Sequence, residues 1–425
     1  TLSYPRITHI HTLTGRGLGS FHFNKLLYST YHDRISPKII SIPSQFDPHC
    51  VLYPNFNFNI MQLLDKMQRS SSPGFGYTNT SKSMVWAQCL HYLFTSDYSS
   101  VFCVIKYSEK KELLNKEKYY ERNKNRLFAL VPMHVELLFR ILLQNTIDRT
   151  NVIEERNYKI GYSVFHQGIK KMFKYTGFAD LASCDGSSFD ASESIWLMCG
   201  ALILLCQTCA YTSHEIIIVL MYFIKFITQP RLFYSILFCL FACLPSGFLL
   251  TALLNCYVVE FITNKMYHPY EKIQHYNSYG DDIIMRKTHI LIFCNLARLH
   301  GLDYTPTEDV IFLSFEPFET KYGYIAKYKQ LGKCFSTIAY IGNVNLEVYE
   351  ATFFALFVNY FYHFFFDVNS TANAEIFFSL YYSRSMLKIP KISFYKKSFD
   401  IWFGEDKHGH RTSLLTLDNV GRNKG

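Results

Sequence analysis

Tyr279-Gly280-Asp281-Asp282 is the stretch on which the reading of this chain turns. Two adjacent carboxylates follow a glycine, with strand-forming residues on both sides: His275 and Tyr276 before, and Ile283, Ile284 and Met285 after. The pattern predicts a hairpin whose tip holds the pair rigidly and in the open, because Gly280 accepts backbone angles that other residues resist. Neighbouring anions repel, so they are stable together mainly where a cation is shared. Hard oxygen ligands gathered at one point favour Mg²⁺ or Mn²⁺ over zinc. A Gly-Asp-Asp tripeptide by itself is more often a plain surface turn, so its meaning depends on the residues upstream.

Asp185-Gly-Ser-Ser-Phe-Asp190 follows the strand-prone run Tyr175 to Leu181 and precedes a long apolar stretch. Carboxylates five apart do not share a face of a strand, so Asp185 is expected to end the strand and Asp190 to sit in the following turn. Next comes Leu244-Pro-Ser-Gly247, with Thr251 and Asn255 beyond it. These two are four residues apart, on one face of an otherwise apolar helix, where buried polar groups need partners.

In this order, Asp-x4-Asp, Ser-Gly-x3-Thr-x3-Asn and Tyr-Gly-Asp-Asp resemble motifs A, B and C of viral RNA-dependent RNA polymerases. Lys110 to Lys118 with Lys124-Asn-Arg126 looks like the basic motif F, and Ser70-Ser-Ser-Pro-Gly-Phe-Gly-Tyr77 looks like motif G. Gly301 to Pro306 is similar to motif D and Phe312-Leu-Ser314 to motif E. The wording of Arg126-Leu-Phe-Ala-Leu-Val-Pro132 and Pro245-Ser-Gly247 looks most like the picornavirus-like positive-strand RNA viruses.

The resemblance implies an α+β closed right hand. Fingers would take 1–142 and 216–247. The palm, an antiparallel sheet on helices, would take 143–215 and 248–325. A helical thumb and C-terminal tail would take 326–425. It implies RNA-templated RNA synthesis by a two-metal mechanism, with Asp185, Asp281 and Asp282 catalytic and, with the Gly186 carbonyl, metal-binding. Mg²⁺ is the expected cofactor, with Mn²⁺ a substitute. Lys118, Lys124 and Arg126 would bind the nucleoside triphosphate. Asp190 and Asn255, with Ser246 or Thr251, would sense its ribose 2′-hydroxyl. Ser71, Ser72, Gly74 and Gly247 would meet the template. Partners would be single-stranded RNA template and primer, a protein primer and other viral replication proteins. The setting would be the host cytoplasm, at membrane-associated replication complexes with peripheral membrane contact, after release from a polyprotein. Two departures stand out: Phe315 occupies the usual basic position after motif E, and Glu308 or Asp309 the usual lysine of motif D.

A reverse transcriptase has a similar palm, but usually carries a bulky aromatic where Asp190 stands. A membrane-embedded scaffold is the alternative from another class. Ile195 to Ser213 and Leu232 to Val259 carry no charge, as membrane spans would. Pro245-Ser-Gly247 would break the second span, and Thr251 and Asn255 would lie in lipid, so buried helices beneath a sheet are the expectation. The aromatic-rich Phe353 to Phe366 is assigned to thumb core.

The chain has 425 residues, and Lys plus Arg exceed Asp plus Glu by 43 − 34 = 9. The excess gathers in residues 106–126, which suits a polyanionic substrate. Twelve cysteines lack the spacing of a secreted disulfide framework. Cys206, Cys209, Cys239 and Cys243 lie in apolar runs without histidine nearby, so packing rather than zinc is expected.

Overall fold

The computed structural model describes residues 2–3 and 56–329, apart from 96–103, 111–113, 116–125, 151–156, 162–179, 265–275 and short stretches at 58, 68, 70, 78–79, 188, 241–242, 308 and 321–322. Lys118, Lys124, Ser70, Glu308, the Phe353 to Phe366 run and nearly all of the expected thumb lie outside the described residues. The chain divides into two compact units, Thr1–Tyr162 with Ala179–Leu313, and Ser163–Phe178 with Ser314–Gly425.

In the first unit, β1 (Leu2–Ser3) pairs with β3 (Leu114–Asn115). Helices α1 (Ile60–Lys66) and α2 (Lys82–Thr95) pack with one face of α3 (Met133–Thr150) around Leu63, Trp86, Cys89 and Leu137. The other face of α3 enters the main core, so α3 buries residues nearly all round, as its apolar sequence dictates.

The central sheet is antiparallel, in the order β10-β5-β9-β8. Its strands are β5 (Leu181–Gly186), β8 (Asn277–Tyr279), β9 (Asp282–Arg286) and β10 (Tyr304–Thr307). Every residue of β5 is buried except Asp185. The short helix α4 (Phe189–Ser192) follows β5, so Asp190 stands in a helical first turn. Then come α5 (Ile195–Thr208), capped by the Ser194 side chain, and α6 (Ser213–Thr228), opened by a Thr212–Glu215 capping box. With α7 (Thr251–Asn264) and α8 (Lys287–Leu299), α5 and α6 supply most of the core, which includes Ile283 and Met285 of β9.

A second sheet, β4-β2-β6-β7, joins β2 (Ile105–Glu109), β4 (Leu127–Leu130), β6 (Arg231–Phe233) and β7 (Ile236–Phe238). Here β2 and β6 run parallel and the other neighbours antiparallel. The fully buried Arg231 donates to Tyr107 Oη at 2.5 Å and to the carbonyls of Ile227 at 2.8 Å and Cys243 at 3.0 Å. A buried guanidinium needs such acceptors, and these three tie β2, the end of α6 and the segment before Pro245 together.

The two uncharged runs resolve differently. Ile195 to Ser213 supplies the buried α5. Leu232 to Val259 is not one helix: it begins in the β6–β7 hairpin, turns at Tyr234 with φ 52, and becomes helical only at Thr251. Ile236 and Leu237 of its edge strand are exposed. Cys206, Cys209 and Cys243 are buried, but Cys239, expected to pack, is exposed because it follows that edge strand. Among the described residues no helix is long and apolar enough to cross a membrane.

In the second unit β11 (Phe315–Thr320) pairs antiparallel with β12 (Gly323–Tyr328), and Glu316 bonds Lys329 at 2.5 Å.

Candidate active site

Gly280 and Asp281 form the two-residue turn between β8 and β9, with Tyr279 paired to Asp282. Gly280 lies at φ +64, the left-handed region that hairpin turns of this length require, and its N–H donates to Cys256 Sγ of α7 at 3.1 Å. On the neighbouring strands, Cys184 is registered with Ile283, so one step further Asp185 comes opposite Asp282. On its other side Asp185 is opposite Thr305 of β10. Residues opposed across an antiparallel pair share a face, which puts Asp185 and Asp282 on the same side of the sheet.

Their charges interact. Burial pushes the Asp281 carboxyl up to about 6, and the negative charges of Asp282, Asp190 and Asp185 push the same way. Burial and then Asp185 push Asp282 up to about 6, against a hydrogen bond donated by the Leu313 backbone N–H. Among the described residues no three His, Cys, Asp or Glu side chains converge into a finished metal cage. The donor chemistry nonetheless fits a hard divalent cation: oxygen ligands, partly buried, in mutual repulsion that a cation would relieve. A Cβ on Gly186 would lie 3.2 Å from the Tyr304 ring and 3.4 Å from Asp281 Cβ, so β5 ends on a residue with no room for a side chain.

Asp190, Asn255 and Ser246 come together, as the resemblance implies. Asn255 Nδ2 donates to Asp190 Oδ1 at 2.8 Å, and Ser246 also hydrogen-bonds the Asp190 carboxylate. Burial raises the Asp190 carboxyl, while those two bonds and the charge of Arg126 oppose the rise. Thr251 stands apart from this set. Its Oγ1 lies 3.0 Å from the Pro245 carbonyl and 2.9 Å from that of Phe248, so it holds the loop that carries Ser246. Of the two hydroxyls expected to serve the ribose, Ser246 is the one on Asp190.

The segment from Arg126 to Met133 gathers the remaining candidates. Arg126 is exposed, and its carbonyl accepts from Lys110 N at 2.8 Å. Ala129 N donates to the Ser246 carbonyl at 2.6 Å, and a Cβ on Gly247, at φ +102, would lie 3.0 Å from Ala129 O. Met133 N donates to the Pro73 carbonyl at 2.8 Å, and a Cβ on Gly74 would overlap the Val131 carbonyl oxygen. Backbone therefore approaches backbone at both glycines. Ser71 is partly buried and Ser72 exposed in the same loop as Gly74.

The sequence matches the profile of the viral RNA-dependent RNA polymerases over residues 30–324, more than half of its length. The chain belongs to that family. It is an RNA-directed RNA polymerase, and RNA template and nucleoside triphosphates are its ligands. Its fold is similar to that of the solved Sicinivirus 3Dpol RNA-dependent RNA polymerase, with a TM-score of 0.62 at 12% identity over 79% of this chain and 78% of that one. No curated protein matches the sequence significantly.

The roles of three further residues of the polymerase were not found by motif reading, although Leu313 lies within the motif E stretch. Leu313, at φ 54, turns its N–H onto Asp282. Arg231 anchors the Cys243 carbonyl, two residues before Pro245. Glu193, three residues after Asp190, is fully buried. The only sequence signal for Glu193 is its i+3 spacing from Asp190; Arg231 shows none and Leu313 only its place in motif E, because their roles depend on contacts distant along the chain.

Proposed function

We propose that the polymerase copies single-stranded RNA of a picornavirus-like positive-strand virus, joining a nucleoside triphosphate to an RNA 3′-hydroxyl or to a protein primer. The observation that carries this reading is the row formed by Asp282 and Asp185 beside the Asp281 turn, with the Asp190–Asn255–Ser246 set close by and Arg126 within electrostatic reach of Asp190. Asp185, Asp281, Asp282 and the Gly186 carbonyl would hold two Mg²⁺ or Mn²⁺ ions, which when bound supply charge neutralisation at the primer oxygen and the leaving pyrophosphate. The rest of the work belongs to the chain. Arg126, with Lys118 and Lys124, grips the triphosphate, and a guanidinium can do so bidentately. Asp190 and Ser246, braced by Asn255, accept and donate at the ribose 2′-hydroxyl, so a deoxynucleotide leaves buried polar groups unpaired. Ser71, Ser72, Gly74 and Gly247 border the template path, where the two glycines let the loops that carry them pack tightly on the backbone of residues 129–131.

The same reading gives a closed right hand with the fingers, palm and thumb limits set out above, released from a polyprotein and working in the host cytoplasm at membrane-associated complexes with other replication proteins. Primer extension on homopolymer RNA with Mg²⁺ or Mn²⁺ tests it directly. Ribonucleotide incorporation is expected; extension with deoxynucleotides alone would identify a reverse transcriptase, and no extension with either would overturn the assignment of the site.

A further inference from the structure

Glu193 is an oddity in the core next to this site. It is 0% exposed, and neither carboxyl oxygen has a hydrogen-bond partner in the protein. Its surroundings are acidic: burial, then the charges of Asp190 and Asp281, hold its carboxyl well above the ordinary range. A bare carboxylate in such a place would cost several kcal/mol, so the group carries its proton. A protonated carboxyl has one O–H to donate, which no other acid in the ribose set offers.

An acceptor on the residue that braces Asp190 lacks a donor. Asn255 Oδ1 is buried without a partner, although the same amide gives Nδ2 to Asp190 Oδ1. Glu193 directly follows the short helix that carries Asp190, and the two are held to the motif B loop together. Leu244 N donates to the Asp190 carbonyl at 2.9 Å and Cys243 N to the Glu193 carbonyl at 3.4 Å. Tyr304 Oη, within electrostatic range of Glu193, is a further buried polar atom without a partner. Several unsatisfied polar atoms in one neighbourhood are the usual setting of an internal water.

We propose that Glu193 is a positioning residue for ribose selection, donating from its carboxyl O–H, across one buried water, to Asn255 Oδ1. This rests on the reading of Asp190, Ser246 and Asn255 as the ribose-sensing set. A donor behind Oδ1 fixes the orientation of the amide, because turning it over would set Oδ1 against the Asp190 carboxylate and Nδ2 against another donor. With Asn255 fixed, Asp190 keeps one oxygen and Ser246 its hydroxyl turned to the substrate. Without Glu193 the amide is free to rotate, and the set loses its aim at the 2′-hydroxyl while the carboxylates at the hairpin are untouched.

The test is incorporation of CTP and of 2′-deoxy-CTP opposite a template guanine by the full chain, comparing wild type with Glu193→Gln, Glu193→Leu, Glu193→Met and Asn255→Ala. Leu and Met should lower the ribo-to-deoxy ratio of kcat/KM about tenfold, the effect of one lost hydrogen bond, by slowing the ribonucleotide only. Gln, whose amide also donates, should keep the wild-type ratio. The infrared spectrum of the wild type should contain a protonated-carboxyl band that Glu193→Gln removes. An ionised Glu193 in the wild type overturns the proposal, and this arm decides the matter if the apolar variants do not fold. So does an unchanged ratio in Leu and Met when Asn255→Ala lowers it. An unchanged ratio in Asn255→Ala would instead overturn the ribose reading beneath it.

Discussion

Asp185 comes opposite Asp282 across the β5–β9 pair, one step beyond the registered Cys184 and Ile283. Asp281 occupies the turn at the end of the same ladder, so three carboxylates from two distant parts of the sequence meet at one end of the sheet. Asp185→Ala and Asp281→Ala should each abolish incorporation while leaving RNA affinity nearly unchanged, because each removes an anionic ligand and no template contact. Asp282→Asn should retain some activity, more in Mn²⁺ than in Mg²⁺. Primer extension beside filter binding checks this, and full activity in Asp185→Ala would sink the site.

The same carboxylates predict a pH dependence. Asp281 and Asp282 are both pushed up to about 6, above the ordinary carboxylate value. For a raised pKa the contribution to stability is fully present below the unfolded value and is lost as pH rises through the folded one. In EDTA the wild type should therefore lose stability, and with it Tm, between about pH 4 and about pH 7, by up to ~3 kcal/mol for each such shift. Asp281→Asn should flatten the decline. Mg²⁺ should restore Tm near neutrality but not near pH 5, where protons compete for the ligands. Melting curves of both proteins across this range check it; identical profiles would show that the pair does not control stability.

Gly74 and Gly76 offer a controlled comparison in the loop expected to meet the template. Both have positive φ, +85 and +92, but a Cβ on Gly74 would overlap the Val131 carbonyl, whereas nothing lies within 4 Å of one on Gly76. Gly76→Ala should cost only the left-handed backbone term, ~1–2 kcal/mol. Gly74→Ala adds overpacking against backbone, for a total of at least ~3 kcal/mol, and should also weaken RNA binding as the loop shifts. Denaturant melts and filter binding would separate the two, and equal losses would mean that the Val131 contact yields freely.

What could be read in the sequence was local. The turn at Gly280, the strand ending within a residue of Asp185 and the shared helix face of Thr251 and Asn255 all follow from spacings of a few residues, where backbone periodicity fixes geometry. What could not be read depends on where a side chain finds its partner. Nothing in Thr251 says that its hydroxyl will turn back to Pro245 and Phe248 rather than forward to Asp190. Nor does an uncharged run reveal that Leu232 to Leu240 is half hairpin, since apolar strands and buried helices share a composition. Nor does the sequence mark Glu193, because burial of a carboxyl is a property of the packed core.

Arg126 should act on nucleotide rather than template. It is exposed just before β4, yet its charge reaches the Asp190 carboxylate, which on the proposed reading of that set would put it near the sugar and phosphates of the incoming substrate. Arg126→Ala is expected to raise the nucleotide KM and lower kcat together, since phosphate charge is bound in the ground state and redistributed in the transition state. Steady-state kinetics with RNA affinity measured in parallel provide the check. A defect confined to template affinity would move Arg126 into the RNA path.

The proton that the departing pyrophosphate needs has no obvious lysine donor. Resemblance to the family assigns this role to motif D, but here no lysine falls between Gly301 and Lys321. β10 takes up Tyr304–Thr307, and Thr307 is tied to β5, its Oγ1 lying 2.7 Å from Ser183 Oγ. That pairing leaves the segment little freedom to deliver a more distant side chain. Lys287 is exposed at the start of α8, and Lys321 lies outside the described residues. His289, on the first turn of α8, keeps a buried Nδ1 without a hydrogen-bond partner. A general acid typically contributes about 10²- to 10⁴-fold, so its loss should be visible without being fatal. Neither Lys287→Ala nor Lys321→Ala is expected to lower kcat as much as Asp185→Ala does, the proton coming instead from water, His289 or His300. Rapid-quench kcat measured against pH decides it. A loss of about a hundredfold in either lysine variant, with normal nucleotide binding and a shifted basic limb, would assign the proton to that lysine and displace the alignment of motif D.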